Sequence, residues 1–358
     1  MAIDGMGSST LAWITHDALR TKSLVDVLSR QQADGMKGVV YGDIAPEAKR
    51  AIDLRGEIAR RDAYADAVDR TLGRTAATQV VLGRLFDIAT EFFGEAQAVG
   101  RQDPARIGTL AEAARTALAE VAGLLNEQQA GEYLFGGSDS ANPPVPSAGT
   151  IASGGMASAI AAAIAGLDST NGSAIAAMTL GIASDTSAGV SPFSAFLEDP
   201  AQGGGEARRA VPSGDGQRVE WGLFANRNAA ATSDGETTGG WARDLMRGLA
   251  SLAALTPGST DAGDGFDTFM TSLRLGLKTA ADGIAAEQGA LGTVESRLET
   301  IKTRHSDLSV ALETQRAGAE EVDLAETISR LRDVQTRLEA SWRVLDMVSG
   351  LSLTNFLR

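Results

Sequence analysis

Residues 322–358, "VDLAETISRLRDVQTRLEASWRVLDMVSGLSLTNFLR", decide the fold. Leu324, Ile328, Leu331, Leu338, Trp342 and Leu345 recur three and four residues apart, with Val334, Gln335, Val348 and Ser349 at the intervening seam positions. That period is the apolar stripe of an amphipathic α-helix, and apolar residues continue to Leu353 and Phe356. Water cannot satisfy such a stripe, so the helix must dock on its own chain or on another copy. The stretch points to assembly. It marks Leu324, Ile328, Leu331, Leu338, Trp342, Leu345, Leu353 and Phe356 as the candidate assembly interface.

Working back along the chain, Leu291, Val294, Leu298, Ile301, His305, Leu308 and Leu312 form a heptad seam. Gly318 is expected to break it, and Asp323 with Glu326 has the capping-box spacing that restarts a helix. The first half mirrors this pattern. After Pro46, residues from Leu54 through Ile58, Ala65, Val68, Leu72, Leu82, Phe86 and Ala89 to Phe93 keep a seven-residue register, a helix about 60 Å long. Asp103 and Pro104 make an N-cap and first turn, and Ile107, Ala111, Ala114, Leu118, Val121 and Leu125 give a second stripe that folds back on the first. The expected rod core is Leu54, Ile58, Val68, Leu72, Leu82, Phe86, Leu118, Leu125, Leu298 and Leu308.

Ser138 to about Gly265 has a different character: "ANPPVP", the Gly203–Gly205 run, and short apolar pieces such as "RVEWGLF". The alternating runs suggest strands, with Trp221, Phe224 and Trp241 able to seed a small core. The expected fold class is mainly α: a long antiparallel helical bundle or coiled-coil rod built from both chain ends, with an inserted small β-rich or mixed middle domain.

Composition narrows the function classes. The 358 residues are 43% hydrophobic but only 5% aromatic, so cores are built from Ala, Leu, Ile and Val, which suits thin helical packing. A net charge of -14 disfavours nucleic acid and anionic membrane surfaces as partners. The absence of cysteine excludes disulfides and thiolate chemistry. The longest apolar stretch, "MASAIAAAIAGL" at 156–167, is too short to span a bilayer, and Asp168 closes it. The opening twenty residues lack the basic and apolar regions of a Sec signal, so secretion would use another route.

No catalytic, metal or cofactor site is expected. The two histidines, His16 and His305, sit in opposite helical ends without an H-E-x-x-H context. Neither "QGGGEARR" nor "SGDGQRVEWG" is a phosphate loop, and the carboxylates read as solvated helix faces.

Three blocks carry a family resemblance: residues 44–92, "IAPEAKRAIDLRGEIARRDAYADAVDRTLGRTAATQVVLGRLFDIATEF"; residues 124–140, "LLNEQQAGEYLFGGSDS", with Asn126, Gly131, Tyr133, Phe135 and Gly137; and residues 322–357, with Asp323, Leu324, Leu331, Gln335, Leu338 and Ala340. In this order they resemble the bacterial flagellin superfamily, most closely its hook-filament junction branch (hook-associated protein 3), to which the ending "LSLTNFL" is similar. The resemblance implies a hairpin after Asn126 and three domains: 1–40 with 319–358 for coiled-coil assembly, 41–137 with 266–318 as helical rod, and 138–265 variable and outward-facing. It implies an extracellular, non-enzymatic adaptor exported unfolded by the flagellar type III system. Its partners would be copies of itself in a ring-like zone, hook-associated protein 1, flagellin and an export chaperone. Filament flagellin, or a secreted binding module on a helical stalk, are the alternatives.

Overall fold

The computed structural model describes residues 4–354, and side chains within 12–347. The protein is mainly helical. In chain order the helices are α1 (Asp4–Asp34), α2 (Ala48–Ala98), α3 (Pro104–Leu125), α4 (Gly155–Ile164), α5 (Gly172–Ser184), the single turn α6 (Ala195–Glu198), α7 (Trp241–Ala254), α8 (Asp264–Glu320) and α9 (Leu324–Thr354). Two antiparallel hairpins accompany them, β1 (Gln128–Gln129) with β2 (Glu132–Tyr133), and β3 (Ala210–Gly214) with β4 (Gln217–Glu220). Two compact units result, Met1–Ala63 with His305–Arg358, and Tyr64–Arg304.

The long helices α2 and α8 pack together. In the second unit their direction is fixed by polar ties. Asp69 accepts from Lys302, Gln79 Nε2 donates to the Gln288 carbonyl at 2.9 Å, and Arg274 Nε donates to the Ala96 carbonyl at 2.8 Å. Partners on α8 fall in number as those on α2 rise, so the pair is antiparallel. The helix α3 starts where the sequence indicates: Asp103 Oδ1 accepts from Arg106 N at 3.3 Å and Pro104 occupies the first turn. Arg106 pairs with Glu95, and Arg84 with Glu120, laying α3 back along α2. Leu82, Leu118 and Leu125 are buried in one core, with Phe86 partly buried against it.

The stretch 138–265 was expected as a small inserted domain. In the structure its residues Val145, Ile160, Leu197, Phe224 and Trp241 belong to the same core cluster as Leu85, Leu118 and Phe269 of α2, α3 and α8. At its centre lies α7, packed against α3, α4 and α5 and buried from Trp241 to Ala253. Gly248 admits the close approach of α8, since a Cβ there would meet Leu277 Cδ2 at 2.3 Å. Trp241 packs edge-on to Phe135, with ring centroids 6.3 Å apart. Trp221 joins a separate cluster with Val68, Val211, Val219 and Leu298, against which Leu72 is partly buried. The strands expected in the middle are there, but only as β3 and β4; the Ala-rich stretch forms α4.

The buried charges of α7 are satisfied internally. Arg243 pairs with Glu198 and lies over the Phe193 ring. Arg247 pairs with Glu236 at 2.6 Å. Asp244 accepts from Thr237 Oγ1 at 2.6 Å, Thr238 N at 2.7 Å and Thr238 Oγ1 at 2.8 Å, yet burial holds its carboxyl above the usual carboxylate range. Glu287 of α8 is fully buried and accepts from three consecutive backbone N–H groups, Ala229, Ala230 and Ala231, at 2.6 to 3.0 Å.

The Asn126 block builds a hairpin. Asn126 ends α3, and its side chain exchanges two hydrogen bonds of 2.8 Å with the backbone of Val145. Ala130 and Gly131, both at positive φ, turn β1 into β2, and Phe135 is fully buried beyond it.

Candidate assembly surface

The first unit holds the chain-end helices. Gly35 ends α1 in the left-handed conformation (φ 73), its N–H donating to the Gln31 carbonyl at 2.9 Å. The next residues meet the end of α8 as a short antiparallel bridge. Lys37 N donates to the Glu320 carbonyl at 2.8 Å, and Val322 N donates to the Gly35 carbonyl at 2.9 Å. The break between α8 and α9 lies at 321–323, just past Gly318. Asp323 Oδ1 caps the new helix, accepting from Ala325 N at 2.8 Å and Glu326 N at 3.2 Å. With its C-terminal end tied to the start of α9, α1 packs along α9 as an antiparallel hairpin.

The mutual seam of this hairpin is thin. On α1 the covered positions are Ile14, Ala18, Thr21, Val25 and Leu28, a strict alternation of four and three. On α9 they are Thr327, Ile328, Leu331, Val334, Leu338, Ser341 and Leu345. Six of these twelve residues are Ala, Thr, Ser or Val, so half of the seam is made of small or short side chains. The larger residues lie outside. Trp13 is 70% exposed, Trp342 52% and Met347 61%, and Leu19, Leu24, Val27, Leu324 and Val344 are exposed with them.

The residues expected from the sequence thus fall in two places. Leu331 is buried and Ile328, Leu338 and Leu345 are partly covered, whereas Leu324 and Trp342 are open on the single chain. The side chain of Leu353 and the whole of Phe356 lie outside the described residues. Of the rod positions in this unit, Ile58 is buried and Leu54 half-buried. Leu308 is 37% exposed, and Ser309 takes the covered place, its Oγ donating to Asp62 Oδ1 at 2.8 Å. The covered positions there run His305, Ser309, Leu312, because a straight helix drifts against a strict heptad. The exposed α1 residues escaped the sequence reading; a count of large apolar residues off the Ile14–Leu28 seam is the signal that finds them.

Below the hairpin, Arg55 Nη2 donates to Glu320 Oε2 at 2.8 Å, and this bond raises the guanidinium further above its usual value. Arg55 also lies 5.7 Å from the Tyr41 ring centroid. Asp43 accepts from the N–H groups of Val40 and Val39, which hold its carboxyl below the usual range. The terminal helices are electrically balanced. Residues 1–34 and 324–358 carry eight acidic and eight basic side chains, so the whole charge of -14 falls on 35–323.

Among the described residues no group of three His, Asp or Glu side chains could hold a metal ion, and no helix is long and apolar enough to cross a membrane.

Among curated proteins none matches the chain. A family model described as the bacterial flagellin C-terminal helical region matches residues 276–357, most of α8 and the whole of α9. This match covers less than a quarter of the chain, and it supports placing these C-terminal helices in the bacterial flagellin superfamily.

Proposed function

We propose that this chain is a structural subunit of the bacterial flagellum, assembling with copies of itself through the α1/α9 hairpin. One observation carries the reading: among the described side chains, the hairpin keeps Trp13, Trp342 and Met347 on its outside. Helices that pair through aliphatic and small residues and leave both of their tryptophans to solvent are built for a further partner. Charge balance in the same helices supports close packing of copies, which like charges elsewhere on the chain would oppose. The reading is structural rather than enzymatic, as the flagellin match suggests.

Within that class we favour the adaptor between hook and filament, on the "LSLTNFL" ending and the three-block resemblance. It would be exported unfolded through the flagellar type III channel, guided by an export chaperone. It would then sit as a ring-like zone between hook-associated protein 1 and flagellin, with 138–265 facing outward. The filament subunit is the second reading, favoured by the name of the matching region itself. Immunogold labelling of isolated flagella separates them. The adaptor gives one narrow zone at the end of the hook; a filament subunit gives label along the whole filament. Unlabelled flagella from cells that make the protein would overturn both.

A further inference from the structure

The segment after α1 forms a socket. Met36, Val39, Val40, Tyr41 and Ile44 surround a cleft of about 300 Å³, floored by the Arg55–Glu320 pair. Val39 and Val40 stand exposed around it, and Tyr41 is partly so. The two charged residues of the lining, Arg55 and Glu320, are bonded to each other, and the rest of the lining is uncharged. A largely apolar concavity of this size accepts a large apolar side chain, and tryptophan is among the residues enriched at the anchors of such contacts.

The chain carries that anchor at the other end of the same hairpin. Trp13 and Trp342 are both exposed, and the antiparallel register sets them at nearby levels on α1 and α9. About 23 helical residues, or about 35 Å, separate Trp13 from Met36, so socket and anchor on one chain cannot meet. Copies with a charge of -14 repel one another except through neutral surfaces, and both the hairpin and the socket floor are balanced.

We propose that the socket at Val39–Tyr41 of one copy receives the Trp13/Trp342 end of the hairpin of a second copy. The inference rests on the self-assembly reading and gives it a direction. Socket and anchor are different patches, so the contact is head-to-tail and leaves one of each free at every step. Such contacts close into rings or continue as helical filaments rather than stopping at a dimer.

Two full-length variants test it by sedimentation velocity, at a concentration where the parent chain polymerises. Val40→Arg blocks the socket and keeps the anchor; Trp13→Ser with Trp342→Ser removes the anchor and keeps the socket. All three positions are exposed, and unchanged circular dichroism checks the fold. Each variant alone should lose polymerisation, and an equimolar mixture should form dimers and nothing larger, through the one intact socket and the one intact anchor. Polymerisation of Val40→Arg at the parent's level, or a mixture that stays monomeric, overturns the head-to-tail pairing while leaving assembly through the hairpin standing. Failure of the parent chain to polymerise at any concentration overturns both.

Discussion

The hairpin α1/α9 and the core around α7 use apolar residues in opposite ways. Around α7, Trp241, Phe135, Phe266 and Phe269 are enclosed, and even Arg243, Asp244 and Arg247 are taken inside with their partners. In the hairpin, Ala18 and Thr327 are covered while Trp13 and Trp342 face out. A folded core spends its large side chains on its own stability. The hairpin holds them back, and that reserve is what a subunit contributes to an assembly.

The contrast can be broken most sharply at the tryptophans. Trp241→Ala leaves a cavity in the α7 core and should cost about 3 to 5 kcal/mol, read by chemical denaturation. A cost under about 1 kcal/mol would show that α7 is not the centre of its unit. Glu287→Ala comes next. It strands the N–H groups of Ala229, Ala230 and Ala231 and should cost at least about 2 kcal/mol, with faster hydrogen exchange at those three amides. Unchanged exchange would mean that the carboxylate does not hold the loop.

Asp244 sharpens the comparison through pH. Its folded pKa lies above the ordinary 3.8, so its favourable contribution is present below that value and is lost as pH rises through the folded pKa. The stability difference between Asp244→Asn and the parent should therefore move in the variant's favour as pH rises from about 3.8 toward neutrality. A difference that stays flat, or moves the other way, would refute the burial argument. The smallest effect belongs to the hairpin: Trp342→Ser in the monomer should change stability by no more than about 0.5 kcal/mol, because the ring is largely in solvent already.

Much of this was legible in the sequence. The heptad runs of α2, α8 and α9, the Asp103–Pro104 start of α3 and the Asp323 cap all rest on local chemistry that the chain spells out. What was not legible depends on tertiary pairing. The α7 stretch "WARDLMRGLASLAA" shows an Arg, Asp, Arg face that reads as solvated, and only Glu198, Glu236 and the 237–238 loop make its burial tolerable. In α1 the seam contains Ala18 and Thr21, too weak an apolar signal to mark a helix pairing. Along α9 the stripe reads through Trp342, yet Ser341 is the covered neighbour, since periodicity gives a face about 100° wide and cannot say which edge a partner occupies.

The four tryptophans of the chain test the central claim directly by hydroxyl-radical footprinting of monomer and polymer. In the monomer, Trp13 and Trp342 should oxidise readily while Trp221, 9% exposed, and Trp241, 1% exposed, are spared. On polymerisation Trp13 and Trp342 should become protected, with Trp221 and Trp241 unchanged. Polymers in which Trp13 and Trp342 stay as reactive as in the monomer would contradict the assignment of the hairpin as the assembly surface.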